Sequence, residues 1–202
     1  MQPVLDLLHS AMASDWIYLA IFAIAVIDGF FPAVPSETAV ITAGVFAASG
    51  QPDLPGVIGA AAAGALIGDH ISYLIGRFSG TRLLARVPAG SRREAAFRWA
   101  RREVASRGGL ILVVARYIPG GRTSVTLTMG ALGYPLRSFF LFDVIAAVSW
   151  GIYSALIGYF GGVAFEQDPI RGVLLGIGIA MGVTLIVEIV RYARRRSATP
   201  VV

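Results

Sequence analysis

Two apolar stretches of this chain are cut short by prolines, and each carries a pair of like charges at the cut. The first reads Asp28-Gly29-Phe30-Phe31-Pro32-Ala33-Val34-Pro35-Ser36-Glu37, the second Arg116-Tyr117-Ile118-Pro119-Gly120-Gly121-Arg122. Proline lacks the N–H that a continuous helix needs and clashes with the preceding turn. Neither stretch can therefore be one straight helix, and Pro32, Pro35, Pro119, Gly120 and Gly121 are the expected hairpin breaks. An ionised side chain within a bilayer costs about 3 kcal/mol or more unless it is paired or faces water. Two acids at one break and two arginines at the other point to mutual pairing around a polar site in a membrane, of the kind that binds or moves a charged molecule.

Composition fixes the medium. Of 202 residues, 56% are hydrophobic and 14% charged, with a mean hydropathy of +0.72. A soluble domain carries about a quarter charged residues, so the chain reads as an integral membrane protein. Residues 1–15 hold Asp6 and Asp15 and no lysine or arginine. The positive flank of a signal peptide is missing, and the first apolar stretch is expected to be a retained transmembrane helix. With no cysteine, disulfide and thiolate chemistry are excluded. His9 and His70 lie far apart, too few for the ligand set of a metal centre; no metal and no cofactor are expected.

The basic residues are all arginine, and they are clustered. Nine of the 17 fall between 77 and 107, against Glu94 and Glu103, and Arg191, Arg194, Arg195 and Arg196 follow the last apolar run. Beside membrane spans such clusters mark cytoplasmic loops, not a nucleic-acid surface. Residues 81–107, with Ala95, Ala96, Phe97, Trp99 and Ala100 among the charges, suit an amphipathic helix on the anionic inner leaflet.

The expected architecture is an all-α polytopic membrane protein forming one membrane domain. It comprises a first repeat with its lead helix (16–80), a basic cytoplasmic amphipathic connection (81–108), a second repeat (109–165), a C-terminal transmembrane helix (170–193) and a cytoplasmic tail (194–202). The segments 32–49 and 109–133 are Gly-rich and broken, as suits re-entrant hairpins, which survive at membrane depth only where protein or a water-filled cavity covers their backbone. Taking 109–133 as a hairpin, not a crossing, puts both arginine clusters on one side, as the positive-inside rule asks. The stretch 42–46 (TAGVF) is echoed by 128–132 (TMGAL), an offset of 86, and 74–80 (LIGRFSG) by 156–162 (LIGYFGG), an offset of 82. Each copy is a broken hairpin followed by a long span, and the hairpins would enter from opposite faces. Inverted repeats with interrupted helices at matching places mark transporter folds, with the substrate site where the copies meet.

Three motifs in order resemble those of the DedA family of SNARE-associated, or VTT-domain, membrane proteins. They are Phe31-Pro32-x-x-Pro35-x-Glu37 preceded by Asp28, then Gly68-Asp69-x-x-x-Tyr73-x-x-Gly76-Arg77, then Arg116-Tyr117-Ile118-Pro119-Gly120-Gly121-Arg122 with Gly130 after it. The resemblance covers roughly residues 16–165. It implies a bacterial inner-membrane protein with two facing re-entrant hairpins that moves lipids across the bilayer, undecaprenyl phosphate or a phospholipid such as phosphatidylethanolamine, coupled to the proton motive force. It also implies that Asp28, Glu37, Arg116 and Arg122 are the functional charges.

The chemistry of the residues agrees. Arginine presents planar, bidentate donors to a phosphate, and Arg116 and Arg122 flank one break. In the empty site Asp28 and Glu37 are expected to act as their counter-charges and as proton carriers. Asp69 is a further proton site or a hydrogen-bond partner of Tyr73 four residues on. Asp143 and Glu188 are expected near helix ends or in local pairs, and Trp16, Tyr18, Trp150, Tyr153 and Tyr159 at the interface or in packing. The expected partners are lipids and protons, and Gly-rich faces suit a homo-oligomer as well as internal packing. Rival readings are a proton-coupled exporter of small cations or drugs and a membrane lipid phosphatase. The last is disfavoured because no histidine sits in either break to act as general base, so no enzymatic activity is expected.

Overall fold

The computed structural model describes residues 14–31, 34–84, 92–118 and 121–165 and six positions between 173 and 182; side chains of 81–99 and of Arg101 lie outside the description. The C-terminal span and tail expected over 170–202 fall almost entirely outside it as well. Within it the chain is helical: α1 (Trp16–Phe30), α2 (Ser36–Ala47), α3 (Leu54–Leu84), α4 (Arg92–Ala115), α5 (Gly121–Ala131) and α6 (Leu136–Ala164). No strand occurs among the described residues.

The breaks fall at the prolines. Phe31 leaves the helical region, with φ −125° and ψ 86°, as sterics require of a residue that precedes proline. Pro35 then stands at the N-cap of α2. On the second side α4 stops at Ala115 and α5 restarts at Gly121. The turn before α6 uses Gly133 at φ +72°, a left-handed conformation that glycine adopts without strain, and Pro135 caps α6 with fixed extended geometry. In α3 the stretch Leu54–Gly80, and in α6 the whole helix, are long and apolar enough to cross a bilayer.

One boundary differs from the sequence expectation. Helix α4 runs without interruption through 108 and 109, so the basic stretch from Arg92 onward and the apolar stretch up to Ala115 are one helix. Alanine, arginine and glutamate before Gly108-Gly109 and leucine and alanine after it are strong helix formers, and no proline intervenes before Pro119.

The two halves exchange their short helices. Each of α1 and α4 packs on the long helix of its own half, α3 or α6, while α2 packs on α6 and α5 on α3. The exchanged contacts use matching glycines. A Cβ on Gly44 of α2 would lie 2.3 Å from the Ala155 carbonyl oxygen, and one on Gly158 of α6 would lie 2.1 Å from that of Ile41. Likewise, a Cβ on Gly130 of α5 would lie 1.9 Å from the Tyr73 carbonyl oxygen, and one on Gly76 of α3 would lie 2.0 Å from that of Leu127. These are the glycines of the sequence repeat. Small residues let helix backbones touch where no hydrophobic effect drives association.

Two apolar clusters result. One gathers Ile21, Val40, Val57, Ala61, Ala65, Ala147, Trp150 and Ala155; the other gathers Tyr73, Leu112, Met129, Tyr134 and Phe139. Along α3 the first cluster precedes the second, and along α6 the order is reversed, so the long helices run antiparallel. Between the clusters lies a polar layer.

Candidate functional site

The polar layer is built from both breaks and both long helices. Asp69 stands one helical turn from Ala65 of one cluster and one turn from Tyr73 of the other; Asp143 stands likewise between Phe139 and Ala147. Each aspartate thus lies on the inward face of its helix, and both are fully buried.

Arg116, seated just after α4, is 7% exposed and pairs with both. Its Nη1 donates to Asp69 Oδ2 and, at 3.4 Å, to Asp143 Oδ1. Its guanidinium lies over the Trp150 ring at 5.5 Å, a favourable position for a cation. Arg122, in the first turn of α5 and 8% exposed, reaches Asp28 Oδ2 at 3.1 Å and places Nε 3.3 Å from Asp69 Oδ1. Asp69 therefore links the two arginines.

Side-chain hydroxyls tie the breaks to the long helices. Ser36 donates to Asp28 Oδ2. Ser72 and Thr123 both donate to the Gly29 carbonyl, at 2.8 and 3.3 Å, so the first break is held by α3 and α5 together. On the α6 side Tyr117 donates to Ser149 at 3.0 Å and meets the Tyr153 ring edge-on.

Two features of the layer define what it can bind. Nε and Nη2 of Arg116 are buried and have no acceptor among the described residues. These two atoms form the side-on edge of the guanidinium, with two parallel N–H donors suited to a bidentate oxyanion. The second feature is charge. Among the described residues four carboxylates, those of Asp28, Glu37, Asp69 and Asp143, stand against the two guanidiniums of Arg116 and Arg122, so the layer holds more carboxylates than guanidiniums.

The sequence expectation placed Asp28 and Glu37 opposite both arginines, and the structure corrects this in part. Asp28 does pair with Arg122, but Arg116 takes its counter-charges from α3 and α6, which bring buried aspartates closer than the first break can. Glu37, half-buried in the first turn of α2, forms no ion pair among the described residues. Asp69 does not bond Tyr73 as the i,i+4 spacing allowed: it is taken by the arginines, while Tyr73 donates to the Tyr134 carbonyl. Asp143 is no local helix-end residue; it sits at the centre of the layer. Trp150 is a packing aromatic, as expected, and Trp16 is exposed. No group of three or more metal-ligating side chains occurs among the described residues.

The VTT domain matches residues 34–160, more than half of the chain. The chain belongs to the DedA/VTT-domain family. Relatives include a protein named DedA from Escherichia coli K12, 25% identical over 185 residues that cover 89% of this chain and 84% of that protein. A membrane protein of Mycobacterium leprae is 29% identical over 150 residues, covering 73% and 67%. A Lactococcus lactis protein named alkaline phosphatase-like is 22% identical over 198 residues, covering 91% and 92%. No solved structure is matched.

Membership of the DedA/VTT-domain family, with two helices apolar enough to cross a bilayer, makes this a membrane protein. The polar layer falls within the matched region except for Asp28. One sequence signal would have found Asp143: it is flanked at i−4 and i+4 by apolar residues, Phe139 and Ala147, as Asp69 is by Ala65 and Tyr73.

Proposed function

We propose that this protein carries a lipid phosphate headgroup across the bacterial inner membrane, without altering it, through the layer centred on Arg116. The observation that carries the reading is the buried Nε/Nη2 edge of Arg116, which has no acceptor among the described residues. A phosphate oxygen pair fills such an edge with two parallel charge-assisted hydrogen bonds, and Arg122, joined to Arg116 through Asp69, supplies a second guanidinium. The backbone N–H groups at the start of α5 add donors and positive dipole. Undecaprenyl phosphate or a phospholipid such as phosphatidylethanolamine fits this chemistry, its tail remaining in the bilayer.

In this reading the two breaks are re-entrant hairpins entering from opposite faces, an arrangement that the reciprocal glycine contacts support. The arginine-rich 81–107 segment and the C-terminus are cytoplasmic under the positive-inside rule. The excess of carboxylates supports coupling to protons: a phosphate entering a layer already rich in negative charge is favoured when a carboxylate takes up a proton. Asp28 and Glu37, half-buried at the first break, are the proposed carriers. Such coupling would draw on the proton motive force.

Hydrolysis of the headgroup is the less supported chemistry. Ser36 is engaged by Asp28, and Thr123 and Ser72 by the Gly29 carbonyl. Among the described residues none of these hydroxyls hydrogen-bonds an imidazole that could remove its proton. The carboxylate excess favours one second reading, proton-coupled export of small organic cations.

The test is flipping of undecaprenyl phosphate in proteoliposomes, with and without a pH gradient, comparing wild type with Arg116→Ala and Arg122→Ala, while released inorganic phosphate is assayed. Wild-type flipping lost in both variants supports lipid transport. Absent flipping of both undecaprenyl phosphate and phosphatidylethanolamine, with proton-driven uptake of a cationic dye, would favour the exporter; phosphate release would favour the enzyme.

A further inference from the structure

His70 and Asp143 form a pair that phosphate carriage by Arg116 leaves unused. His70 lies on α3 beside Asp69, with 27% of its side chain exposed and its ring between Phe139 and Phe140. Nδ1 is 2.8 Å from the Leu66 carbonyl oxygen. A carbonyl only accepts, so Nδ1 must carry hydrogen and Nε2 is the atom left to take a proton. The same Nδ1 is 3.3 Å from Asp143 Oδ2. That oxygen is buried and has no hydrogen-bond donor among the described residues, while Oδ1 faces Arg116 at 3.4 Å. Asp143 therefore stands between two cations, one permanent and one conditional.

We propose that the His70–Asp143 pair is a proton-binding site coupled to anion binding at Arg116, with the proton taken up at His70 Nε2. An imidazolium at His70 gives Asp143 a second cation, which draws its carboxylate from Arg116 and leaves that guanidinium to a phosphate. An arriving phosphate, conversely, displaces Asp143 toward His70 and favours the imidazolium. The coupling is reciprocal by linkage. The other charged groups around His70 do not duplicate this. Asp69 on α3 is bound to Arg116, Asp28 of α1 to Arg122 of α5, and Glu37 of α2 lies beside Asp28 and Tyr153. The proposal rests on the reading that Arg116 holds phosphate.

The experiment is ¹⁵N NMR of the full chain in detergent micelles on a His9→Gln background, which leaves His70 the sole histidine. Neutral His70 is expected as the Nδ1–H tautomer, a measurement that needs no change at the site; the Nε2–H tautomer would overturn the proposal. At the pH where the ring is half protonated, Asp143→Asn is expected to lower the imidazolium-to-imidazole ratio about tenfold, since it removes an adjacent opposite charge; an unchanged ratio would overturn it. Dodecyl phosphate, a micelle-soluble monoester, should raise that ratio at least about fivefold, and not in Arg116→Lys. Phosphate binding is followed in parallel by ³¹P NMR. Arg116-dependent binding with no response at His70 sinks the coupling and spares the phosphate site; no Arg116-dependent binding sinks both.

Discussion

The two breaks share a backbone plan and differ in how their charges are kept. In the first, Asp28 and Glu37 are half-buried, and among the described residues only Asp28 has an arginine. In the second, Arg116 and Arg122 are buried, and both reach Asp69, with Asp143 and Asp28 completing the set. Each break is followed by a short helix that crosses to the other half and meets its long helix through glycine. The packing is thus reciprocal while the electrostatics are not. One set of contacts builds the scaffold twice; the unequal charges make a single site within it.

Breaking the second side should cost most. Arg116→Ala leaves Asp69 and Asp143 buried with their main cation gone, and removing one partner of a buried ion pair costs about 3–5 kcal/mol. Thermal unfolding in detergent should show it as the largest loss of any single change in the layer. Arg122→Ala should cost less, because its partner Asp28 is half-buried and can turn to water. Equal losses for the two would erase the difference between them.

The scaffold contacts come next, and here the halves should behave alike. Gly44→Ala and Gly130→Ala each drive a methyl into a carbonyl of the opposite long helix, and overpacking of this kind costs about 1–3 kcal/mol. Similar losses at both positions are expected in the same unfolding assay. A neutral Gly44→Ala beside a damaging Gly130→Ala would show that the reciprocity is not energetic.

The smallest effect is expected at Glu37. With no ion pair among the described residues, Glu37→Gln should change stability by less than about 0.5 kcal/mol. If Glu37 carries protons, the same substitution removes the response of flipping to a pH gradient. Flipping with an unchanged gradient response would remove Glu37 from the mechanism.

Much of this was legible in the sequence, because prolines and apolar runs act locally. The ends of α1, α3 and α6 fall close to where Pro32, Pro52 and Pro135 place them. The repeat showed in Gly44, Gly76, Gly130 and Gly158, since only glycine permits that approach. The partners of Arg116 were not legible. Asp69 and Asp143 lie 74 positions apart on different helices, and only the antiparallel packing of α3 and α6 brings them to one guanidinium. The continuity of α4 was hidden by its change from charged to apolar composition, which looks like a boundary and is none.

In the proposed function the Nε/Nη2 edge of Arg116 takes a lipid phosphate, and Arg116→Lys separates that edge from the charge behind it. Lysine keeps the charge that Asp69 and Asp143 require but has no planar pair of donors. In proteoliposomes holding equal amounts of folded protein, undecaprenyl phosphate flipping by Arg116→Lys should fall at least about tenfold, the equivalent of about 1.4 kcal/mol. Flipping at the wild-type rate would contradict the account, since the buried charge alone would then suffice.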